Sequence, residues 1–103
     1  MNPTPFPNPT PAELGILRVL WRSGPATVRQ IQEELKADRR SGYTTVLKLL
    51  QIMTEKGLVS REESGRAHVY RPRQSQYQSQ RQIVGDLLER VFGGAAEKLV
   101  TIF

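Results

Sequence analysis

The chain has 103 residues, 38% of them hydrophobic, which is enough to bury one modest core but not two. Its apolar runs are short, so we expect no membrane insertion, and the absence of cysteine excludes disulfide frameworks and thiolate metal sites. With a single histidine we expect no metal and no cofactor, and the absence of a secretory signal predicts a cytoplasmic location.

The net charge of +5 is confined to one part of the chain. Residues 1–35 and residues 74–103 each hold three basic and three acidic groups, so neither part carries a net charge. Residues 36–73 hold nine basic groups against four acidic ones, which accounts for the whole excess. Segregated positive charge is typical of nucleic-acid-binding surfaces, although a solvated basic face has the same composition.

Helix signals begin at Thr10, after a stretch in which every second residue is proline. Proline has no backbone N–H to donate, so this stretch predicts a disordered, proline-rich tail over residues 1–9. Thr10 with Glu13 three residues later forms a capping box, and Pro11 stands at the first helical position, where proline is tolerated. The first helix therefore runs from Pro11 to the break at Gly24.

Two further helices are predicted before the basic segment ends. Thr27 and Gln30 form a second capping box, which begins the second helix. Residues 36–42 are polar and basic and predict a turn. The third helix covers residues 43–56 and ends at Gly57, because apolar residues recur there at the spacing of one buried face.

After the third helix the hydrophobic period changes from helical to alternating. Residues 58–62 and 67–71 are short strand-like runs on either side of a turn at residues 64–65, which predicts a β-hairpin. Pro72 ends the second strand, because it cannot donate to the ladder.

Residues 74–92 predict a fourth helix that ends at Gly93 and carries a second apolar stripe. The first three helices already supply a core: Leu14, Leu17, Leu20, Ile31, Leu35, Val46, Leu49 and Met53. The stripe therefore has little of its own chain to cover it, and exposed apolar surface of that size predicts an interface. The predicted dimer interface consists of Ile83, Val84, Leu87, Leu88, Val91 and Phe92.

Three short helices followed by a hairpin is the order of a winged helix-turn-helix. The predicted fold is therefore mainly α with a small β-hairpin wing, followed by C-terminal dimerisation helices. In such a fold the third helix enters the DNA major groove and the wing lies along the backbone or minor groove. The predicted DNA-binding residues are Arg39, Arg40, Ser41, Tyr43, Thr44, Thr45, Lys48, Gln51, Arg66 and His68.

Catalysis is not expected, because no carboxylate pair, Ser-His arrangement or glycine-rich phosphate loop occurs in the sequence. The domain boundaries predicted are a tail over residues 1–9, a DNA-binding domain over residues 10–73 and a dimerisation region over residues 74–103. Two alternatives to a repressor stay open: a winged-helix regulator that a small ligand releases from DNA, and a winged helix that binds a partner protein.

Several short motifs follow one another along the chain. They are TPAELGILRVLW (residues 10–21), ATVRQI (26–31), YTTV (43–46), EKGLV (55–59), GRAHVYRP (65–72) and FGG (92–94). In this order and spacing they resemble the penicillinase repressor family. The motifs correspond, in turn, to that family's first helix, its second helix, its recognition helix, the segment that follows the recognition helix, the second wing strand and the break between the two dimerisation helices. That family includes the methicillin-resistance and copper-transport repressors.

The resemblance implies a bacterial homodimeric repressor that binds a pseudo-palindromic double-stranded DNA operator and controls antibiotic-resistance or metal-transport genes. It also implies a membrane sensor protease as a partner, which itself or through an event that it triggers inactivates the repressor by cleavage near the start of its last region. Residues 101–103 align with that cleavage region but lack its asparagine before phenylalanine, and the cysteine-rich tail of the copper-responsive members is absent. Leu47 and Ile52 stand where other members often have basic or polar residues. The family usually continues through another helix, so the dimerisation region is expected to be incomplete.

Overall fold

The computed structural model describes residues 7–35 and 42–93. The elements, in chain order, are α1 (Pro11–Ser23), α2 (Val28–Leu35), α3 (Tyr43–Lys56), β1 (Val59–Ser64), β2 (Ala67–Pro72) and α4 (Gln76–Phe92). This is the mainly helical order with a hairpin wing that the sequence predicted. The predicted turn over residues 36–42 and the predicted tail over residues 1–9 lie mostly outside the described residues.

Both predicted capping boxes are present at the starts of α1 and α2. The backbone N–H of Glu13 donates to Thr10 Oγ1 (3.2 Å), and the N–H of Thr10 donates to Glu13 Oε1 (2.9 Å). At α2, the N–H of Gln30 donates to Thr27 Oγ1 (3.2 Å), and the N–H of Thr27 donates to Gln30 Oε1 (2.9 Å). These side chains satisfy backbone N–H groups that have no partner inside the helix, so each helix has a defined first residue.

The core lies between α1, α2, α3 and the base of the wing. Its buried side chains are Ile16, Leu17, Val19, Leu20, Ala26, Val28, Ile31, Leu35, Val46, Leu50, Met53, Leu58, Val59 and Tyr70. Leu14 and Leu49, which the sequence predicted to be in the core, are only half-buried. Leu49 packs at the edge of the core, and Leu14 lines a cleft between α1 and α4.

The wing is an antiparallel hairpin joined to the helical part by backbone hydrogen bonds. Its strands pair from Val59 opposite Pro72 to Ser64 opposite Ala67. The turn is therefore Gly65–Arg66, one residue later than predicted, because Gly65 takes the positive φ (+64°) that the first central position of such a tight turn needs.

On its other edge, β2 pairs with the segment between α1 and α2. The N–H of Ala26 donates to the Tyr70 carbonyl oxygen (3.1 Å), and the N–H of Tyr70 donates to the Ala26 carbonyl oxygen (2.8 Å). The position of the wing relative to α2 is thereby fixed through the main chain.

The fourth helix is anchored at its start. A capping box between Ser75 and Gln78, which was not predicted from the sequence, begins α4. Trp21 Nε1 donates to the Gln74 carbonyl oxygen (3.0 Å), and Ser79 is the one buried residue of the helix. Gly93, with a φ of +61°, caps its C-terminal end. Within residues 7–35 and 42–93, no helix has the length and apolarity that crossing a membrane requires.

Candidate nucleic-acid interface

The third helix has one buried face and one exposed face. Val46, Leu50 and Met53 are fully buried against the core and hold the helix in place. Since the helical period is 3.6 residues, the positions opposite this stripe form one continuous surface. Those exposed positions are Thr44, Thr45, Lys48, Gln51, Ile52 and Glu55. The surface presents hydroxyl, amide and ammonium groups, the groups that bind base edges and phosphates.

An ion pair between the half-buried Lys56 and a buried carboxylate fixes the C-terminal end of α3. Lys56 Nζ lies 3.0 and 2.9 Å from the two carboxylate oxygens of Glu13, whose side chain is 2% exposed. The same carboxylate accepts the N–H of Thr10. One group therefore caps α1 and tethers the last turn of α3, so the orientation of the exposed face depends on the start of the first helix.

The predicted residues of α3 are brought together on the exposed face. Thr44, Thr45, Lys48 and Gln51 lie on it, and Tyr43 is exposed at the beginning of the helix. Arg39, Arg40 and Ser41 lie outside the described residues, so their part in the interface stays a prediction.

The two predicted residues of the wing are placed differently. Arg66 is exposed at the turn between the strands. His68 is half-buried, because it lies two residues before Tyr70 and so on the same, core-facing side of β2. Its Nδ1 is buried and has no hydrogen-bond partner among the described residues. A contact of His68 with DNA therefore stays a prediction.

Five of the six cations of residues 42–73 fall into two groups. Lys56 is paired with Glu13, and Arg71 Nε donates to Glu62 Oε2 (2.9 Å) across the wing. Lys48, Arg61 and Arg66 form no ion pair within the described part of the chain and are exposed. These free cations, on α3 and the wing, are available to phosphate groups.

Ile52 lies between the polar residues of the exposed face, although the sequence did not predict it as part of the interface. It was noted only as a departure from a family pattern. Its spacing could have indicated its place in the interface, because Ile52 comes seven residues after Thr45 and therefore lies on the same side of the helix. Among residues 7–35 and 42–93, no group of three His, Asp or Glu side chains is arranged to hold a metal ion.

Comparison with known proteins assigns the family. The sequence pattern of the penicillinase repressors matches residues 9–103. The chain belongs to the penicillinase repressor family. The resemblance noted in the sequence is thereby confirmed, and the family consists of transcriptional regulators rather than enzymes.

Two curated relatives, the transcriptional regulators BlaI of two Mycobacterium tuberculosis strains, CDC 1551 and H37Rv, are 44% identical to the chain over 61 residues. The match covers 58% of this chain, and the chain spans only 44% of the length of those relatives.

Solved structures confirm the winged-helix fold. The DNA-binding domain of the repressor BlaI superposes with a TM-score of 0.62 at 24% identity, covering 69% of this chain and 87% of that one. The monomeric form of Bacillus licheniformis BlaI, in complex with the blaP half-operator, superposes with a TM-score of 0.61 at the same identity and coverage. At this identity the likeness concerns the fold alone.

Proposed function

We propose that this chain is a homodimeric transcriptional repressor that binds a pseudo-palindromic DNA operator. The observation that carries the proposal is the face of α3 opposite the core, where Thr44, Thr45, Lys48 and Gln51 are exposed together. A helix held rigidly by one face, with hydrogen-bonding side chains on the other, fits the major groove of DNA. Tyr43 at the start of the helix would lie near the sugar-phosphate backbone.

The relatives support this assignment. The family is that of the penicillinase repressors, and the Bacillus licheniformis BlaI structure with a similar fold contains a half-operator. In our proposal residues 10–73 form the DNA-binding domain, and Arg66 at the tip of the wing contacts phosphate or the minor groove.

The dimer is proposed from the surface of α4. Val84, Leu87 and Val91 are 53, 50 and 61% exposed, and they lie on one side of the helix. Ile83, Leu88 and Phe92 flank them and are half-buried. A two-fold axis would bring the same stripe of two chains together and remove this apolar area from water. Residues 74–103 are therefore proposed as the dimerisation region.

Enrichment from a library of random DNA duplexes tests the repressor proposal. The chain is expected to select an inverted repeat whose half-sites are about 10 base pairs apart, or a multiple of that, because two recognition helices related by a two-fold axis meet the groove one turn apart. Selection of a single, non-repeated site would contradict the dimeric mode. Binding that ignores DNA sequence and ionic strength would instead favour a protein-interaction module.

Sedimentation equilibrium tests the dimer. Leu87→Asp is expected to make the chain monomeric while the helical circular dichroism is kept, because a carboxylate in the paired stripes would lose its hydration. Glu89→Lys is the matched control, since Glu89 is exposed two residues further on and so on the opposite side of α4. A wild-type chain that stays monomeric at high concentration, or a Leu87→Asp variant that stays dimeric, would contradict the proposed interface.

A further inference from the structure

The exposed face of α3 contains one side chain that does not match its neighbours. Ile52 is 45% exposed and is surrounded on the helix surface by Thr45, Lys48 and Glu55. Among the described residues, the other large aliphatic side chains with comparable exposure are all on α4. An apolar residue therefore lies within the otherwise polar exposed face of α3.

Folding does not account for isoleucine at this position. The core is built from the opposite face of α3, and Ile52 is not part of it. In addition, a β-branched residue has a lower helix propensity than the lysine, glutamine or alanine that an exposed position would normally favour. Its apolar surface becomes favourable only when a partner covers it.

Major-groove chemistry identifies what that partner is. Of the groups that the bases present there, the C5-methyl group of thymine is apolar, whereas the other groups are hydrogen-bond donors and acceptors. An isoleucine side chain can neither donate nor accept, so against any other base edge it would leave polar atoms without partners. Thr45 and Ile52 are seven residues apart, or about 10 Å along the helix, so both can face the same groove.

We propose that Ile52 selects thymine in the operator, by packing its aliphatic side chain against the C5-methyl group in the major groove. The inference rests on the proposed function, since it requires α3 to dock in that groove. It adds a specificity-determining residue whose contact with DNA is apolar, beside the hydrogen-bonding residues of the same face.

Replacement of thymine by uracil tests this contact, because uracil lacks only the methyl group. The probe is the duplex that the wild-type chain enriches from the random library, with each thymine replaced in turn. At one position in each half-site, uracil is expected to weaken binding of the wild-type chain about four-fold, the factor that corresponds to burial of one methyl-sized group. Ile52→Ala is expected to bind the thymine and uracil duplexes with equal affinity.

Two variants serve as controls for this measurement. Gln51→Ala, at the neighbouring exposed position, is expected to keep the wild-type sensitivity to uracil at the site that Ile52 reads. Ile52→Val keeps part of the aliphatic surface, so its sensitivity should lie between those of the wild type and Ile52→Ala. Thermal unfolding followed by circular dichroism shows that each variant is folded.

The outcomes separate the two proposals. If no uracil substitution weakens the wild-type chain, or if Ile52→Ala shows the same loss as the wild type, the role of Ile52 is wrong while operator binding stands. If the wild-type chain enriches no sequence at all, the proposal that it recognises an operator is wrong, and so is the role proposed for Ile52.

Discussion

The third and fourth helices present opposite kinds of surface to solvent. The exposed face of α3 is polar apart from Ile52, and the helix is fixed by a buried stripe and by the Lys56–Glu13 ion pair. The exposed face of α4 carries Val84, Leu87 and Val91, and burial is confined to its first turn at Ser79.

This difference indicates which kind of partner each surface suits. Polar side chains stay hydrated at little cost, so the face of α3 suits a partner that offers hydrogen bonds and charge. Exposed aliphatic side chains gain from any contact that excludes water, so the face of α4 suits a second apolar helix. The rigidity of α3 matters because base recognition needs fixed geometry, whereas packing of aliphatic side chains tolerates adjustment.

A change in ionic strength should give the largest difference between the two surfaces, because it should affect DNA binding and hardly affect dimerisation. If a dimer contacts roughly 6–10 phosphates, raising salt from 50 to 200 mM should lower the DNA affinity about 10³–10⁵-fold. The dimer dissociation constant should change little over the same range, because the contacts proposed for the dimer are apolar. Fluorescence anisotropy and sedimentation measure the two constants. A DNA affinity that is insensitive to salt would contradict the electrostatic part of this comparison.

Substitution of Lys56 should destabilise the packing that holds α3 in place. Lys56→Ala leaves the buried carboxylate of Glu13 without its cation and is expected to lower the free energy of unfolding by about 3 kcal/mol. Arg22→Ala is the matched control, since both side chains of the Arg22–Glu34 pair (2.9 Å) are exposed, by 58 and 42%. That change is expected to cost at most about 1 kcal/mol. Equal losses in urea unfolding would show that burial does not distinguish the two pairs.

Within the proposed DNA interface, substitution of Lys48 and of Arg66 should have different effects. Lys48→Ala is expected to reduce discrimination between operator and random DNA by about 1–3 kcal/mol, because Lys48 lies at the centre of the exposed face of α3. Arg66→Ala should weaken binding to both duplexes to a similar degree, since a wing arginine meets mainly backbone. Competition binding measures both effects. Equal losses on the two duplexes for Lys48→Ala would make it a phosphate contact.

The smallest effect is expected at Gly85, in the interior of α4. A Cβ atom at this position would meet no atom within 4 Å, so alanine fits without strain. Gly85→Ala is expected to stabilise the chain by about 0.5–1 kcal/mol through helix propensity, measured at one fixed protein concentration. The dimer dissociation constant should stay unchanged. A weaker dimer would mean that the partner chain approaches this glycine closely.

Local sequence signals predicted most of the fold. Capping residues and apolar spacing located α1, α2 and α3, and the change of period located the hairpin. Contacts between distant residues were not predictable in this way. The Lys56–Glu13 pair joins residues 43 positions apart, and the Trp21–Gln74 bond spans 53 positions.

The candidate site was predictable to a similar extent. The spacing of Thr44, Thr45, Lys48 and Gln51 was enough to place them on one face of a helix. By contrast, burial depends on which face the neighbouring elements cover, so the half-buried state of Leu14, Leu49 and His68 became apparent only from the packing.

The two hydrogen bonds between Ala26 and Tyr70 also affect which surfaces two copies of the chain could use to associate. An open strand edge is a template for uncontrolled association, and here Ala26 occupies the edge of β2 at Tyr70. The opposite edge belongs to β1, where Arg61, Glu62 and Glu63 are consecutive and exposed. Charges along a free edge oppose pairing with a second strand. Edge-to-edge pairing of two copies is therefore disfavoured along β1 and at Tyr70 of β2, which leaves the apolar stripe of α4 as the surface for the proposed dimer.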